Sequence, residues 1–278
     1  MKKKFNKDKL IKDSSFLESK VWLDEDANIY WNDIPENLDL DKFYEKEYWS
    51  SYRKNKEKGG VYQFFLKNYK SIRRLLNITP NLFFSNYILY FKYLNQKSKI
   101  LEIGCGAGEN IIELSKKKYS ITGVELDKKN VARINNLIGS NVVIQGNYEE
   151  IVVEGKFDFI YLNQVMEHFR DLYKVIKKLK KNLNSDGCIY ISVPNADSSK
   201  YLEESINNHP HIYHFTMQGL EVFFINNGFT VESIGYYDWK RGSRIMNDII
   251  FSLFKLSGLR KHSNESEYLI GVFKLDKH

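Results

Sequence analysis

From Ser98 onward, short apolar runs alternate with stretches whose apolar residues recur every three or four positions. The first pattern predicts buried strands and the second amphipathic helices. Strands are expected at 99–104, 119–126, 141–146, 157–163, 188–193, 229–237 and 267–275. A helix is expected over 108–117. Asp127 can cap another, in which Val131, Ile134, Leu137 and Ile138 share a face. Asp171 opens a third with Leu172, Val175, Ile176, Leu179 and Leu183 at helical spacing, and its lysines form a solvated face. Thr216 can cap a fourth that ends at Gly228. Such alternation builds an α/β fold, a mostly parallel sheet with helices on both faces.

The first 96 residues read differently. Up to about residue 40 they are polar and punctuated, an irregular surface lead-in. Three helical patterns follow, at 41–54, 61–77 and 81–96, the last apolar nearly all round and so expected to be buried. Phe43, Tyr44, Tyr48, Trp49 and Tyr52 fall on the first. Two regions are therefore expected: a lead-in with a helical cap at 1–96, and a core at 97–278 interrupted by a helical insert at about 240–262.

Composition adds less. The chain of 278 residues is 42% hydrophobic and 15% aromatic, which is globular. Its net charge of +7 comes almost wholly from scattered lysines, which outline no nucleic-acid groove. Cys105 and Cys188 lie far apart and make neither a disulfide framework nor a zinc spacing. No apolar run is long enough for a signal peptide or a transmembrane helix, so a cytoplasmic protein is expected.

The chemistry begins at Leu101-Glu-Ile-Gly-Cys-Gly-Ala-Gly108, where a strand passes into a helix. Glycines at 104, 106 and 108 let the backbone turn sharply and approach a ligand that a Cβ would exclude. The dinucleotide fingerprint fails at Glu109, whose carboxylate would repel a pyrophosphate, and no Gly-Lys-Ser/Thr follows to make a P-loop. The loop suits a ligand carrying adenosine without phosphates. Glu125, at the end of the second strand of the core, has the chemistry to accept both ribose hydroxyls.

With ILEIGCGAG (100–108), VEL (124–126), QGNYEEI (145–151), FDFIYLNQVMEHF (157–169) and LKKNLNSDGCIYISVPN (179–195), the chain resembles the class I S-adenosylmethionine-dependent methyltransferases. The resemblance covers residues 98–240. It implies a Rossmann-like seven-stranded sheet of order 3-2-1-4-5-7-6, with strand 7 antiparallel. It also implies S-adenosyl-L-methionine as cofactor and S-adenosyl-L-homocysteine as product. Glu102, Gly104, Cys105, Gly106 and Gly108 would hold the methionine end, and Glu125 and Leu126 the ribose. Asn147, Tyr148 and Glu149 would meet the adenine, and Asn163 and Gln164 would line the methyl-donor site.

Methyl transfer is an in-line displacement, and an alcohol acceptor benefits from a base that takes its proton. Histidine suits that role. His168 lies in Met166-Glu-His-Phe169, after the fourth strand of the core, and His214 in the His-rich stretch His209-Pro-His-Ile-Tyr-His-Phe-Thr216, read as a loop. Both are candidate bases. His209, His211 and Tyr213, with Tyr44 and Tyr48 of the first helix, are candidates for the acceptor pocket. No Asp or Glu lies within the His-rich stretch, so no metal is expected there.

The resemblance points to an O-methyltransferase for a small polar acceptor. Relatives that act on quinone precursors or surface sugars suggest a sugar or phosphoryl-type intermediate of surface-polysaccharide biosynthesis. Methylation of nitrogen or of RNA is the enzymatic alternative, and a non-catalytic cofactor-binding partner the other. The apolar face within 243–259 could touch a membrane surface, form a homodimer or pack on a monomer.

Overall fold

The computed structural model describes residues 5–14, 19–34, 93–239, 259–261 and 263–277. Its main sheet has eight strands in the order β11-β10-β12-β8-β7-β4-β5-β6. These are β4 (Lys99–Ile103), β5 (Ser120–Glu125), β6 (Val143–Gln145), β7 (Phe157–Asn163), β8 (Leu183–Pro194), β10 (Phe229–Trp239), β11 (Leu259–Lys261) and β12 (Tyr268–Leu275). Strands β4 to β8 pair in parallel, whereas β12 runs antiparallel to both β8 and β10. Numbered within the core from β4, and leaving out the short edge strand β11, the order is the expected 3-2-1-4-5-7-6.

The period-two alternation of the strands sorts their side chains between two apolar layers. Leu101, Ile103, Ile160, Leu162, Ile189 and Ile191 pack on one side, against Leu172, Val175, Ile176 and Leu179 of helix α3 (Leu172–Asn182). Leu220, Phe223 and Phe224 of α5 (Met217–Asn226) join that layer. Ile100, Phe159, Tyr161, Cys188 and Tyr190 point the other way. There they meet Ile111 and Leu114 of α1 (Glu109–Lys116) and Ile134 of α2 (Lys128–Ile138). The three polar caps form as the sequence predicts. Asp127 Oδ1 accepts from Asn130 N at 2.7 Å, Asp171 Oδ1 from Lys174 N at 3.0 Å, and Thr216 Oγ1 from Gly219 N at 2.9 Å.

The N-terminal lead-in is not irregular. Strands β1 (Lys9–Ser14), β2 (Ser19–Asp24) and β3 (Ile29–Asn32) form an antiparallel sheet, completed by β9 (Tyr213–Phe215). Thus the His-rich stretch is in part a strand rather than a loop, with His214 opposite Tyr30. Helix α4 (Ser199–Asn208) fills much of the connection that the sequence leaves without an element. Strands of three to six residues have too little periodicity to read, and the partner of β3 lies some 180 positions away.

The expected helices at 41–54, 61–77 and 81–96, with Tyr44 and Tyr48, lie outside the described residues, apart from a turn at the end of the third. So does most of the expected insert at 240–262, whose residues Leu259–Lys261 are strand rather than helix. Among the described residues no helix is long and apolar enough to cross a membrane.

Asn32, buried at the end of β3, ties the small sheet to the His-rich segment. Its Oδ1 accepts from Ser19 Oγ at 3.0 Å, and its Nδ2 donates to the carbonyl of His211 at 2.7 Å and meets His214 Nε2 at 3.0 Å. Asn32→Ala leaves those buried groups unpaired. It should cost about 2–3 kcal/mol of stability, measured by urea unfolding.

Candidate active site

The carboxyl ends of β4 and β7 form a crevice where two turns touch. After β4, Gly104, Gly106 and Gly108 take φ values of 68°, 50° and 70°, left-handed conformations that suit glycine. A Cβ on Gly104 would come within 2.5 Å of Val165 Cγ2, in the turn after β7. A Cβ on Gly108 would come equally close, 2.5 Å, to Ile134 Cδ1 of α2. Glycine is therefore required by the neighbours as well as by the backbone. The side chain of Cys105 is turned into the core beside Gly123, so only its backbone is left to meet a ligand.

Two buried carboxylates flank this turn. Glu125 accepts from Gly106 N at 2.6 Å and from Asp127 N at 2.9 Å, and keeps further lone pairs for a ligand. Glu102 accepts from Asn110 Nδ2 at 3.1 Å through Oε1, but its buried Oε2 has no partner among the described residues. Burial pushes the Glu102 carboxyl up to about 8, and the nearby Glu125 adds to the shift. An acid so placed calls for a cationic donor. Leu126, following Glu125, is half-buried.

The expected adenine contacts need correction. Tyr148 is buried in the core, with its hydroxyl donating to Asn182 Oδ1 at 3.0 Å, so its ring is not free to cover a base. Burial also holds Glu149 above the usual carboxylate range, and its oxygens accept from Arg170 N at 3.1 Å and Asp171 N at 2.8 Å. It anchors the entry to α3. Asn147 remains half-buried at the end of β6, with Oδ1 accepting from Glu149 N at 2.9 Å. At the end of β7, Asn163 is exposed, and Gln164 adopts a left-handed φ of 56° while its backbone N–H donates to Ser192 O at 2.8 Å. That strained residue turns the chain from the strand into the 3₁₀ turn Met166–His168.

The fold then brings that turn against the His-rich segment. The rings of His168 and His211 meet edge-on with centroids 4.7 Å apart, and His209 stacks on His211 at 4.8 Å. His168 is half-buried, and Nδ1 lies 3.3 Å from the Pro210 carbonyl. Because a carbonyl can only accept, that nitrogen carries the proton, and Nε2 is the unprotonated nitrogen of the neutral ring. Burial lowers the imidazole to about 4, so it is neutral near pH 7. His214 is a different case. It is buried, pulled down to about 3 by desolvation, and sits between Asn32 Nδ2 and Ser205 Oγ, the latter at 2.7 Å. With both ring nitrogens engaged, His214 is a structural residue and not the base. Tyr213 is likewise turned inward, donating to Arg170 O at 3.0 Å with its ring 5.3 Å from Phe5, and is no part of a pocket.

Sequence reasoning missed Glu167, Ser205 and Asn32. Glu167 is fully buried, neither carboxylate oxygen has a partner among the described residues, and burial pushes it up to about 8. One of its oxygens and one nitrogen each of His168 and His211 lie within 4.8 Å of one another. The acid that the His-rich stretch lacks is thus supplied by another segment.

Known proteins place this arrangement. Residues 73–234 match a family model described as a methyltransferase domain. Malonyl-[acyl-carrier protein] O-methyltransferase of Priestia megaterium is 36% identical over 104 residues, covering 36% of this chain and 38% of that protein. Ubiquinone biosynthesis O-methyltransferase of Pseudomonas aeruginosa is 28% identical over 113 residues, covering 37% of this chain and 47% of that protein. The chain spans about half the length, or less, of these curated relatives. A TehB-like methyltransferase structure from Corynebacterium glutamicum aligns over 76% of this chain and 97% of its own, with a TM-score of 0.50 and 18% identity. A methyltransferase structure from Clostridium acetobutylicum aligns over 76% and 99%, with a TM-score of 0.51 and 13% identity. These two likenesses are of fold. With the family model spanning more than half of its residues, the chain belongs to the class I S-adenosylmethionine-dependent methyltransferases.

Proposed function

We propose that this protein transfers a methyl group from S-adenosyl-L-methionine to an oxygen of a small polar acceptor. The observation that carries the reading is the contact of Gly104 with Val165, which sets the glycine turn one short turn away from His168. When bound, the cofactor supplies an electrophilic methyl group on a sulfonium. The protein's task is to hold an acceptor atom in line with it.

Glu102 is suited to the amino group of the methionine end, because its partnerless Oε2 lacks only a donor. The open backbone at Gly104 admits the same end, and the remaining lone pairs of Glu125 suit the ribose hydroxyls. Asn163 and Gln164 border the methyl-donor site from β7. On the acceptor side, His168 Nε2 accepts the hydroxyl proton as the acceptor oxygen takes the methyl, while Pro210 O holds the ring and its tautomer. His209, half-buried and stacked on His211, is the further residue of the cluster suited to line the acceptor's approach. The O-methyltransferase names of two relatives support oxygen as the acceptor atom. A sugar or phosphoryl-type intermediate of surface-polysaccharide biosynthesis is the acceptor class carried forward from the sequence resemblance.

Three outcomes test this reading. S-adenosylhomocysteine should raise the melting temperature, and Glu125→Ala should abolish most of that shift. Binding should also tighten with pH. Glu102 must lose its proton to pair with the ligand's ammonium group, so affinity rises up to about tenfold per unit below pH 8 and levels off above it. Calorimetry across pH 6–9 reads this slope, and Glu102→Gln should flatten it. With an acceptor found by screening for homocysteine-product release, His168→Ala should lower turnover by about 10²–10⁴-fold while cofactor binding persists. Turnover that survives His168→Ala points instead to an amine acceptor.

A further inference from the structure

We propose that Glu167, His168 and His211 bind a divalent transition-metal ion of the zinc class at the acceptor's end of the site. The donor atoms of the three residues lie within 4.8 Å of one another. Any triangle of that size has a point no more than about 2.8 Å from each corner, against the 2.0–2.1 Å of a zinc–nitrogen bond. Side-chain movements of about 0.7 Å close the difference, which one carboxylate and two imidazoles can make through small rotations. Two imidazoles and one carboxylate suit zinc, iron or cobalt far better than magnesium or calcium, which prefer all-oxygen shells.

Glu167 gives the independent observation. Its side chain is 0% exposed, and both oxygens lack a partner among the described residues. The neighbouring Glu149 shows what a structural carboxylate looks like in this fold, because two backbone N–H groups satisfy it. Among the described residues, Glu167 has no such pair of N–H donors and only its own backbone N–H nearby. A cation between it and the two rings supplies a partner for those oxygens and favours the ionised carboxylate.

The surroundings of both rings have the form of a metal's outer shell, in which each ligating imidazole is held through its other nitrogen. His168 Nδ1 donates to Pro210 O at 3.3 Å, which directs the Nε2 lone pair away from that carbonyl. His211 Nδ1 lies 2.7 Å from Ser205 Oγ. Ser205 is itself fixed. Asn32 Nδ2 can only donate, so His214 accepts at Nε2 and donates from Nδ1 to the same Ser205 Oγ at 2.7 Å. Ser205 Oγ can donate to His211 Nδ1 or accept from it; in the second arrangement, which an ion would select, His211 keeps its Nε2 lone pair for the metal. His214 and Asn32, which lie outside the ligand set, thereby act on it through Ser205. Three protein ligands leave positions open for an oxygen of the acceptor. A Lewis acid there lowers the pKa of that oxygen, so a hydroxyl gives its proton to solvent at neutral pH; with the ion bound, this replaces the base role given above to His168 Nε2, whose lone pair then holds the metal.

This role rests on the O-methylation reading, but metal binding itself is measured without any acceptor. The untagged full chain, stripped with a chelator, is titrated with Zn²⁺ by calorimetry and with Co²⁺ by visible absorption. One ion should bind per chain. Glu167→Gln and His211→Ala should each weaken binding by about 100-fold or more, and Ser205→Ala by about 10-fold. His262→Ala, in which a histidine far along the chain is removed, should bind like wild type. Each variant is checked for an unchanged thermal shift with S-adenosylhomocysteine, so that lost binding is not lost folding. Absence of one-to-one binding, or binding unmoved by Glu167→Gln and His211→Ala in proteins that still bind S-adenosylhomocysteine, overturns the proposal. If Zn²⁺ binds as expected but no oxygen acceptor is turned over, the metal site stands and the O-methylation reading falls.

Discussion

Everything in the candidate site depends on how closely the Val165 side chain, in the turn after β7, packs on Gly104, in the turn after β4. Gly104 faces Val165 at a distance that excludes a Cβ, and its left-handed φ of 68° makes that approach possible. The parallel pairing of β4 with β7 sets the two strand ends side by side, with Ile103 opposite Leu162. One turn then carries Gly104, Gly106 and Gly108, and the other carries Glu167 and His168. Neither half would be placed by its own sequence alone. The crevice is the product of their shared sheet register, which is where a doubly wound sheet offers ligand sites in general.

Buried acids set this part of the fold apart. Three glutamates, Glu102, Glu125 and Glu167, are buried in or beside the elements that carry the two turns, and desolvation raises all three. They are satisfied to different degrees. Glu125 is tied by two backbone N–H groups, Glu102 has one oxygen left over, and Glu167 has both. A fold that tolerated these groups only for packing would do better with apolar side chains of the same size. Their incomplete satisfaction is what supports the proposed ligand contacts at these positions.

The small N-terminal sheet gives the site its other wall. By pairing β3 with β9, it turns the His-rich stretch from a loop into a strand. Asn32, His214 and Ser205 then form a buried relay in which the donor-only amide sets the protons of the next ring. Two of the three clustered histidines of the sequence thus have separate tasks. His214 supports, while His211 faces His168 and Glu167.

The sequence by itself determined the core sheet, its strand order and its capped helices, because period-two and helical patterns are local and repeat over many residues. It also determined the glycine turn and the acids at 102 and 125, since their spacing from the strand ends is short. Only the tertiary structure decided that Lys9–Ser14, Ser19–Asp24 and Ile29–Asn32 form a sheet, that Tyr148 and Tyr213 turn inward, and that His214 is spent on Asn32 and Ser205. Those outcomes depend on contacts between segments as much as 182 positions apart, for which no local period exists. The union of Glu167 with His211 belongs to the same class. An acid 44 positions from its histidine partner becomes part of one site only when β7 and β9 are folded together.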